Sequence, residues 1–269
     1  MIRSNAGKPK GLLRSLKGNK YFLLSRHLPS ADLRFFVEHF WSVQWNVPEP
    51  QTQENLPHPS VHLVVEKGNS RILGIVTGKF IRVLKGKGWV FGIKFRPGAF
   101  YPFAKFPLSS ITNKLLMLEE VFGSGGTAYE EELLSLKEET EKIRCAEQFI
   151  RERLPEKDGN IETINRIVEC VINDRTIVKV EKIGALFNIN TRTLQRLFNQ
   201  YVGVSPKWII QRYRLLEAVE QMNEGKVVDW VKLALDLGYF DQAHFIKDFK
   251  TLVGKSPEEY MKNAGKKLK

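Results

Sequence analysis

The sequence predicts an α+β chain of two domains. The N-terminal one is an antiparallel β-barrel or sandwich with helices, and the C-terminal one is all-α, with two helix-turn-helix units joined by a linker helix. Three observations support this. Between Tyr21 and Pro107, short β-branched or aromatic runs alternate with Gly and Lys-Gly turns. In the C-terminal half, apolar residues recur at helical spacing. Within that half one pattern occurs twice: Asn190, Leu194, Phe198, Gly203, Ser205 and Pro206 correspond to Asp241, Phe245, Phe249, Gly254, Ser256 and Pro257. Every pair has the same offset, which marks a structural repeat rather than a compositional bias.

Residues 1–20 contain Arg3, Lys8, Lys10, Arg14, Lys17 and Lys20 and no acid. They read as a basic tail, either solvated or an auxiliary phosphate-binding arm. Residues 21–127 read as a β-rich, sensor-like domain with strands at 61–66, 71–77, 80–84 and 89–95, separated by Gly or Lys-Gly turns. Leu33 to Trp45 is aromatic-rich and reads as a helix start running into a strand. Arg96-Pro97-Gly98 then leaves a strand for a turn. Phe100, Tyr101, Phe103 and Phe106 follow. They either line a ligand cavity or close the bottom of the core; Arg96 either binds an anionic ligand or pairs internally. His39, His58 and His62 raise the idea of a metal site, but no sharper ligand spacing supports one, so no metal and no cofactor is expected.

Leu116 to Phe122 reads as a short helix closed by a flexible break at Gly123–Gly126. Residues 128–158 read as a helical linker. Its Leu133, Leu136, Ile143, Ile150 and Leu154 lie near heptad spacing, which suits either a two-fold homodimer helix or docking on the β-domain. Pro155 to Gly159 stops the helix and marks the domain boundary.

Residues 159–264 form the helical domain, with units at about 179–201 and 229–252; residues 265–269 are a basic tail. Ile161, Ile164, Ile167, Val168, Val171 and Ile172 give its first helix an apolar stripe, with Cys170 beside it as core packing. In the first unit Val180, Ile183 and Phe187 form the leading helix, Asn188 to Asn190 the turn, and Asn190 the cap of a second helix. That helix carries Leu194, Leu197 and Phe198 inward and Thr191, Arg192, Gln195, Arg196 and Asn199 outward. Ser205-Pro206 starts a linker helix that runs to Asn223. At 1.5 Å per residue it spans roughly 27 Å, of the order of the ~34 Å between successive major-groove segments on one DNA face. In the second unit Gly238 stops the leading helix and Asp241 caps the next. Phe245, Phe249 and Leu252 face inward, and Gln242, His244, Lys247 and Lys250 outward.

The residues Ala234, Gly238, Tyr239, Phe245, Lys247, Phe249, Gly254, Ser256 and Pro257 resemble the signature of the AraC/XylS family of bacterial transcription regulators. The resemblance covers about residues 160–263 and implies a bipartite DNA-binding domain. It implies base-edge contacts from Arg192, Gln195 and Arg196 in the first unit and from Gln242, His244 and Lys247 in the second. Thr193, Lys207 and Lys250 would touch phosphates, and Thr191 and Asn199 share the outer face. Gly184 sits where alanine is usual, which should loosen its helix by up to ~1 kcal/mol. Ala243 replaces a common polar residue, so the second helix is expected to read fewer bases or only a thymine methyl. Leu56-Pro57-His58-Pro59, Gly78-Lys79-Phe80, Leu84 to Gly88 and Gly92 to Gly98 resemble the N-terminal domain of one AraC-type subgroup and imply no particular ligand.

The chain holds 42 Lys+Arg against 30 Asp+Glu, a formal charge of +12 spread over both halves. A basic excess favours phosphate attraction without specifying it. Two cysteines cannot supply a four-ligand zinc-thiolate cluster and suggest a reducing, cytoplasmic setting. No apolar run approaches the ~20 residues of a membrane span. No phosphate loop, Ser-His-Asp set or paired-carboxylate spacing marks an enzyme. The expectation is a sequence-specific transcription regulator whose partners are double-stranded DNA, RNA polymerase and an unidentified small molecule; the alternatives are a constitutive DNA-binding regulator whose N-terminal domain is a protein-interaction module, and a metal-dependent β-barrel enzyme fused to a DNA-binding module.

Overall fold

The computed structural model describes residues 2–4, 21–56, 58–223 and 230–265. The expected tails at 5–20 and 266–269 lie outside the described residues. Of the N-terminal tail, Ile2–Ser4 form a strand, β1, parallel to β2 (Phe22–His27), so a solvated tail is not what those residues make.

Five more strands complete one sheet: β3 (Val37–Asn55), β4 (His62–Val65), β5 (Arg71–Leu73), β6 (Phe80–Phe95) and β7 (Leu115–Leu116), in the order β1-β2-β3-β6-β4-β5-β7. Apart from β1 the pairings are antiparallel. The sheet does not close into a barrel. Instead β3 and β6 are long and bend, giving a sandwich-like shell. The bend falls where the β3–β6 register shifts between Val47 and Gln51. Pro48 and Pro50 lie in that bulge, where no ladder N–H is required. The expected turn at Lys85–Gly88 is part of this same distortion: Gly86 has φ +55°, and β6 runs through it. Leu33 to Trp45 begins as turns, not a helix, before entering β3.

Period-two alternation divides the sheet into two faces. Phe40, Leu63, Val65, Ile72, Phe91, Ile93 and Phe95 face the helices and are buried in the main core. Trp41, Val43, Val64, Leu73 and Val90 face the other way. Two glycines make room for tryptophans on that second face. A Cβ at Gly92 would lie 2.2 Å from the Trp41 ring, and one at Gly88 would lie 2.4 Å from Trp45.

The helix side begins with α1 (Tyr101–Ala104), a 3-10 turn (Leu108–Ile111), α2 (Leu118–Phe122), α3 (Ser124–Ser135) and α4 (Glu139–Arg151). The Gly123–Gly126 stretch is not a flexible break. Gly123 (φ +59°) turns the chain, and Gly126 approaches the Leu118 carbonyl so closely that a Cβ would sit 2.7 Å away. The expected single helix over 128–158 is two, α3 and α4. Glu138 caps α4, its own N–H donating to Glu141 Oε2 at 3.4 Å. The heptad stripe is used internally: Leu133 and Ile150 are buried in the β-domain core, and Tyr129 stacks on Phe149 at 4.1 Å. Leu133 and Ile150 thus dock on the β-domain, while Leu136, Ile143 and Leu154 stay half-buried.

The C-terminal helices are α5 (Gly159–Asn173), α6 (Val180–Phe187), α7 (Thr191–Tyr201), α8 (Pro206–Asn223), α9 (Trp230–Asp236), α10 (Gln242–Val253) and α11 (Pro257–Gly265). The boundary at 155–159 is a break in the chain but not in the packing, because one core runs from Leu33 through Phe100 to Leu194, Phe198 and Ile210. Tyr201 lies 4.3 Å from Tyr101, ring to ring, and Gln200 donates to the Tyr101 hydroxyl. Thr112 Oγ1 donates to the Gly203 carbonyl at 2.7 Å, and Asn165 donates to the Pro97 carbonyl at 3.0 Å. Cys170 packs against this core, as expected.

Gly203 has φ +92°, and a Cβ there would meet the Leu108 carbonyl oxygen at 2.7 Å. Gly203→Ala should therefore destabilise the whole chain by about 1–3 kcal/mol from backbone strain alone. Chemical denaturation would measure this; an unchanged midpoint would show that residue 203 is not held in the left-handed conformation.

Candidate nucleic-acid interface and sheet-face cavity

The two helix-turn-helix units are built by the same local devices. In the first, α6 ends on Asn188, which takes the left-handed conformation (φ +53°). Asn190 then caps α7, its side chain accepting from Thr193 N at 2.8 Å. In the second, Gly238 (φ +79°) ends α9, and Asp241 caps α10 by accepting from His244 N at 2.7 Å. Gly184 has a role that its helix propensity conceals: a Cβ there would lie 2.8 Å from the Ile189 carbonyl, so the turn is tight at this point.

These caps aim the second helix of each unit. In α7, Leu194 and Phe198 are fully buried, whereas Thr191, Arg192, Gln195, Arg196 and Asn199 are exposed and Thr193 is half-buried. The α7 segment contains no acidic residue. In α10, Phe245, Phe249 and Leu252 are buried; His244, Lys247 and Lys250 are exposed and Gln242 is half-buried. The acid of α10, Asp248, turns toward the linker helix and accepts from Gln211 at 2.9 Å. His244 is partly engaged, 3.7 Å from Asp248 and edge-on to Tyr239. Lys207, at the start of α8, is exposed. One exposed residue on this side was not anticipated. Phe240, 90 % exposed, precedes the cap of α10. Tyr239 packs on Phe245, the contact that an apolar residue before a cap usually makes, and so leaves Phe240 outside.

The linker helix α8 joins two cores. Ile209 and Ile210 belong to the core shared with the β-domain, and Leu215, Leu216, Val219 and Met222 to that of the second unit; Tyr213 touches both. The β-domain also reaches the second unit directly. Leu56 is buried in that unit's core, and its carbonyl accepts from Arg212 on α8. Lys79, paired with Glu54 at 3.1 Å, lies against Gly254.

Two cavities lie beside these contacts. One, of about 260 Å³, occupies the sheet face opposite the main core, with Phe22, Leu24, Trp41, Val43, Val64, Leu73, Phe80, Leu84 and Val90 among its walls. The other, of about 520 Å³, lies between the sheet and α5 and α8 and is lined by Glu38, Arg96, Asn165, Glu169, Tyr213 and Arg214, among others. Arg26, His58, Ser60 and Lys94 line both. At this junction Lys94 donates to Glu38 at 2.9 Å, and Arg26 donates through Nε to His39 Nε2 at 3.1 Å. Burial opposes ionisation of Glu38, but the charge and hydrogen bond of Lys94 together with His39 outweigh it and hold the carboxyl below the usual range. Burial, aided by Lys94, pushes His62 down to about 3, so it is a neutral acceptor for Trp41 Nε1 at 3.2 Å.

The residues expected to contact a ligand fall elsewhere. Phe100 and Phe103 are buried within the main core and Tyr101 is packed on Tyr201; none of the three lines either cavity. Arg96 borders the interdomain cleft but is engaged, donating to the Arg34 carbonyl at 3.2 Å and lying 3.7 Å from Glu169. The cavity residues come from several strands, and only the alternation of Phe22, Leu24, Arg26 and of His39, Trp41, Val43 hinted at them. Among the described residues no group of three or more His, Cys, Asp or Glu is placed to hold a metal ion. None of the described helices is long and apolar enough to cross a membrane.

Residues 25–117 match a domain of unknown function, DUF6597, and residues 183–263 match a helix-turn-helix domain. An uncharacterized HTH-type transcriptional regulator of Haemophilus influenzae is 30% identical over 84 residues, 31% of this chain and 28% of the relative. The HTH-type transcriptional regulator MtrA of Neisseria gonorrhoeae is 33% identical over 89 residues, 33% of this chain and 29% of the relative. The chain thus spans less than a third of the length of each of these relatives. Among solved structures, a probable AraC family transcriptional regulator from Rhodopseudomonas palustris shares 26% identity over 38% of this chain and 97% of its own (TM-score 0.35). ToxT from Vibrio cholerae shares 15% identity over 90% of this chain and 97% of its own (TM-score 0.37). The chain thus carries a helix-turn-helix domain in its C-terminal part, similar to that of HTH-type transcriptional regulators, with a DUF6597 domain ahead of it.

Proposed function

We propose that the chain is a sequence-specific transcription regulator that binds promoter DNA through α7 and α10 and answers to a small molecule held by the β-domain. The observation that carries the first part is the repeated geometry: two capped helices, each with its aromatic or leucine side buried and its polar, basic side exposed. Arg192 and Arg196 suit the O6/N7 edge of guanine, and Gln195 and Gln242 suit adenine, at ~1–3 kcal/mol for a good bidentate pair. Lys207, Lys250 and Thr193 suit phosphates and would set register. Thr191 and Asn199 flank the first reading surface, Lys247 and His244 the second. Phe240 adds an apolar contact suited to a thymine methyl or sugar.

The second part rests on where the cavity lies. Leu56, His58 and Ser60 line it, Leu56 is tied to Arg212 of α8, and His58 faces the Tyr213 ring at 6.2 Å. A ligand that shifts this segment pushes on the middle of the helix that sets the spacing of the two units. RNA polymerase is the partner through which such a cytoplasmic regulator would act.

Arg196→Ala should weaken binding to a selected operator by roughly tenfold or more, corresponding to ~1–3 kcal/mol, while leaving non-specific binding nearly unchanged. Gel-shift titration on operator and scrambled duplexes separates the two; equal losses on both would reject base reading at Arg196. Lys250→Ala should weaken both duplexes alike and lower the slope of log K against log salt by about one unit. An unchanged slope would remove the phosphate contact from Lys250.

A further inference from the structure

The two helix-turn-helix units differ by one residue in the turn. In both, the residue after the left-handed position closes back on the leading helix: Ile189 N donates to the Gly184 carbonyl at 3.0 Å, and Tyr239 N to the Ala234 carbonyl at 2.9 Å. Asn190, the cap of α7, follows Ile189 at once. Asp241, the cap of α10, comes one residue later, and Phe240 is the residue inserted. Ile189 and Tyr239 both pack inward, so the apolar place before each cap is already filled. The extra side chain therefore projects outward. Phe240 is 90 % exposed; the next most exposed large apolar side chain among the described residues is Leu115, at 60 %. Single exposed apolar residues are common on protein surfaces. This one is set apart by its place, directly ahead of α10.

The outer side of α10 is also more apolar than that of α7. At the offset of the repeat, Ala243 and Ile246 stand where α7 has Arg192 and Gln195. Ala243 is exposed and Ile246 half-buried. His244 is engaged by Tyr239 and Asp248, and the Asp241 carboxylate is occupied by the cap. Phe240, Ala243 and Ile246 thus place apolar groups at the positions where the first unit offers hydrogen bonds. In the major groove only thymine presents an apolar group, its C5-methyl.

We propose that the second unit identifies thymine by this methyl group, held between the Phe240 ring and Ala243, while the first unit reads bases by hydrogen bonds. This rests on the reading of α7 and α10 as DNA-contacting helices. A contact of Phe240 with deoxyribose, or with a protein, would not depend on the methyl.

Gel-shift titration of the full chain on a duplex selected from random sequence, with each thymine in turn replaced by deoxyuridine, tests the assignment, because deoxyuridine lacks only the methyl. At a thymine of the half-site bound by α10, the replacement should weaken binding about fourfold, the worth of one buried methyl group. Phe240→Ser should bind the thymine and uridine duplexes alike, since the coupled partner is gone; Phe240 is exposed, so this variant keeps the fold. Ala243→Gln, which fills the same spot with an amide, should lose the discrimination as well. No uridine-sensitive thymine, or equal sensitivity in the unaltered chain and both variants, would overturn the proposal; a selective loss of operator binding by Arg196→Ala would then leave the DNA-reading assignment standing. Unchanged binding of Phe240→Ser to every duplex, with loss of transcription by added RNA polymerase, would also overturn it and make the ring a protein contact. If selection yields no preferred duplex, both readings fall.

Discussion

Both helix-turn-helix units lean on the same β-domain, and the rest of the architecture follows from that. The first unit is joined to it by a continuous apolar core and by polar contacts that fix its orientation: Thr112 to the Gly203 carbonyl, Gln200 to Tyr101, and Tyr201 against Tyr101. The second is touched by the far end of the bent β3–β6 ribbon, through Leu56 and Lys79. The first contact set is large, buried and directional. The second, among the described residues, includes the Leu56 side chain and carbonyl and the Lys79 stem. Movement between the units is therefore expected at the second contact, because fewer buried apolar contacts oppose opening there.

The linker helix sits between the two contact sets. Its first turns belong to one core and its last to the other, and Tyr213 lies where they meet. Arg212 and Arg214 are almost fully buried on this helix. Arg214 satisfies the ends of α5 by donating to the carbonyls of Val171 and Asp174, which ties the helix to the first unit. Arg212 ties it to the β-domain instead. One helix thus carries a bond to each neighbour within one turn. Leu56 touches, through its carbonyl, the helix that lies between α7 and α10.

The helical half was largely legible in the sequence because its signals are local. A cap acts on an N–H two or three residues away, and a left-handed glycine or asparagine ends a helix where it stands. Asn190, Asp241, Asn188 and Gly238 could each be read from their neighbours. The β-domain was less legible because its decisive features are set by register. Lys85–Gly88 looks like a turn in isolation and becomes a bulge only when β6 is paired with β3. Gly123–Gly126 looks flexible until α2 and α3 approach each other. Arg26, His39 and Lys94 are far apart in the chain and meet only because His39 and Arg26 lie on strands that flank or pair with β6 through β3. The aromatic cluster after Arg96 was visible, but composition could not separate residues that line a void from residues that fill one.

The account depends most on two reading helices engaging one DNA molecule together while held by a single β-domain. Hydroxyl-radical footprinting of the full chain on a high-affinity duplex selected from random sequence measures this directly. Two protected stretches on one face of the duplex, centred about 10 bp apart, are the predicted result. A single protected stretch, or two on opposite faces, would contradict the account.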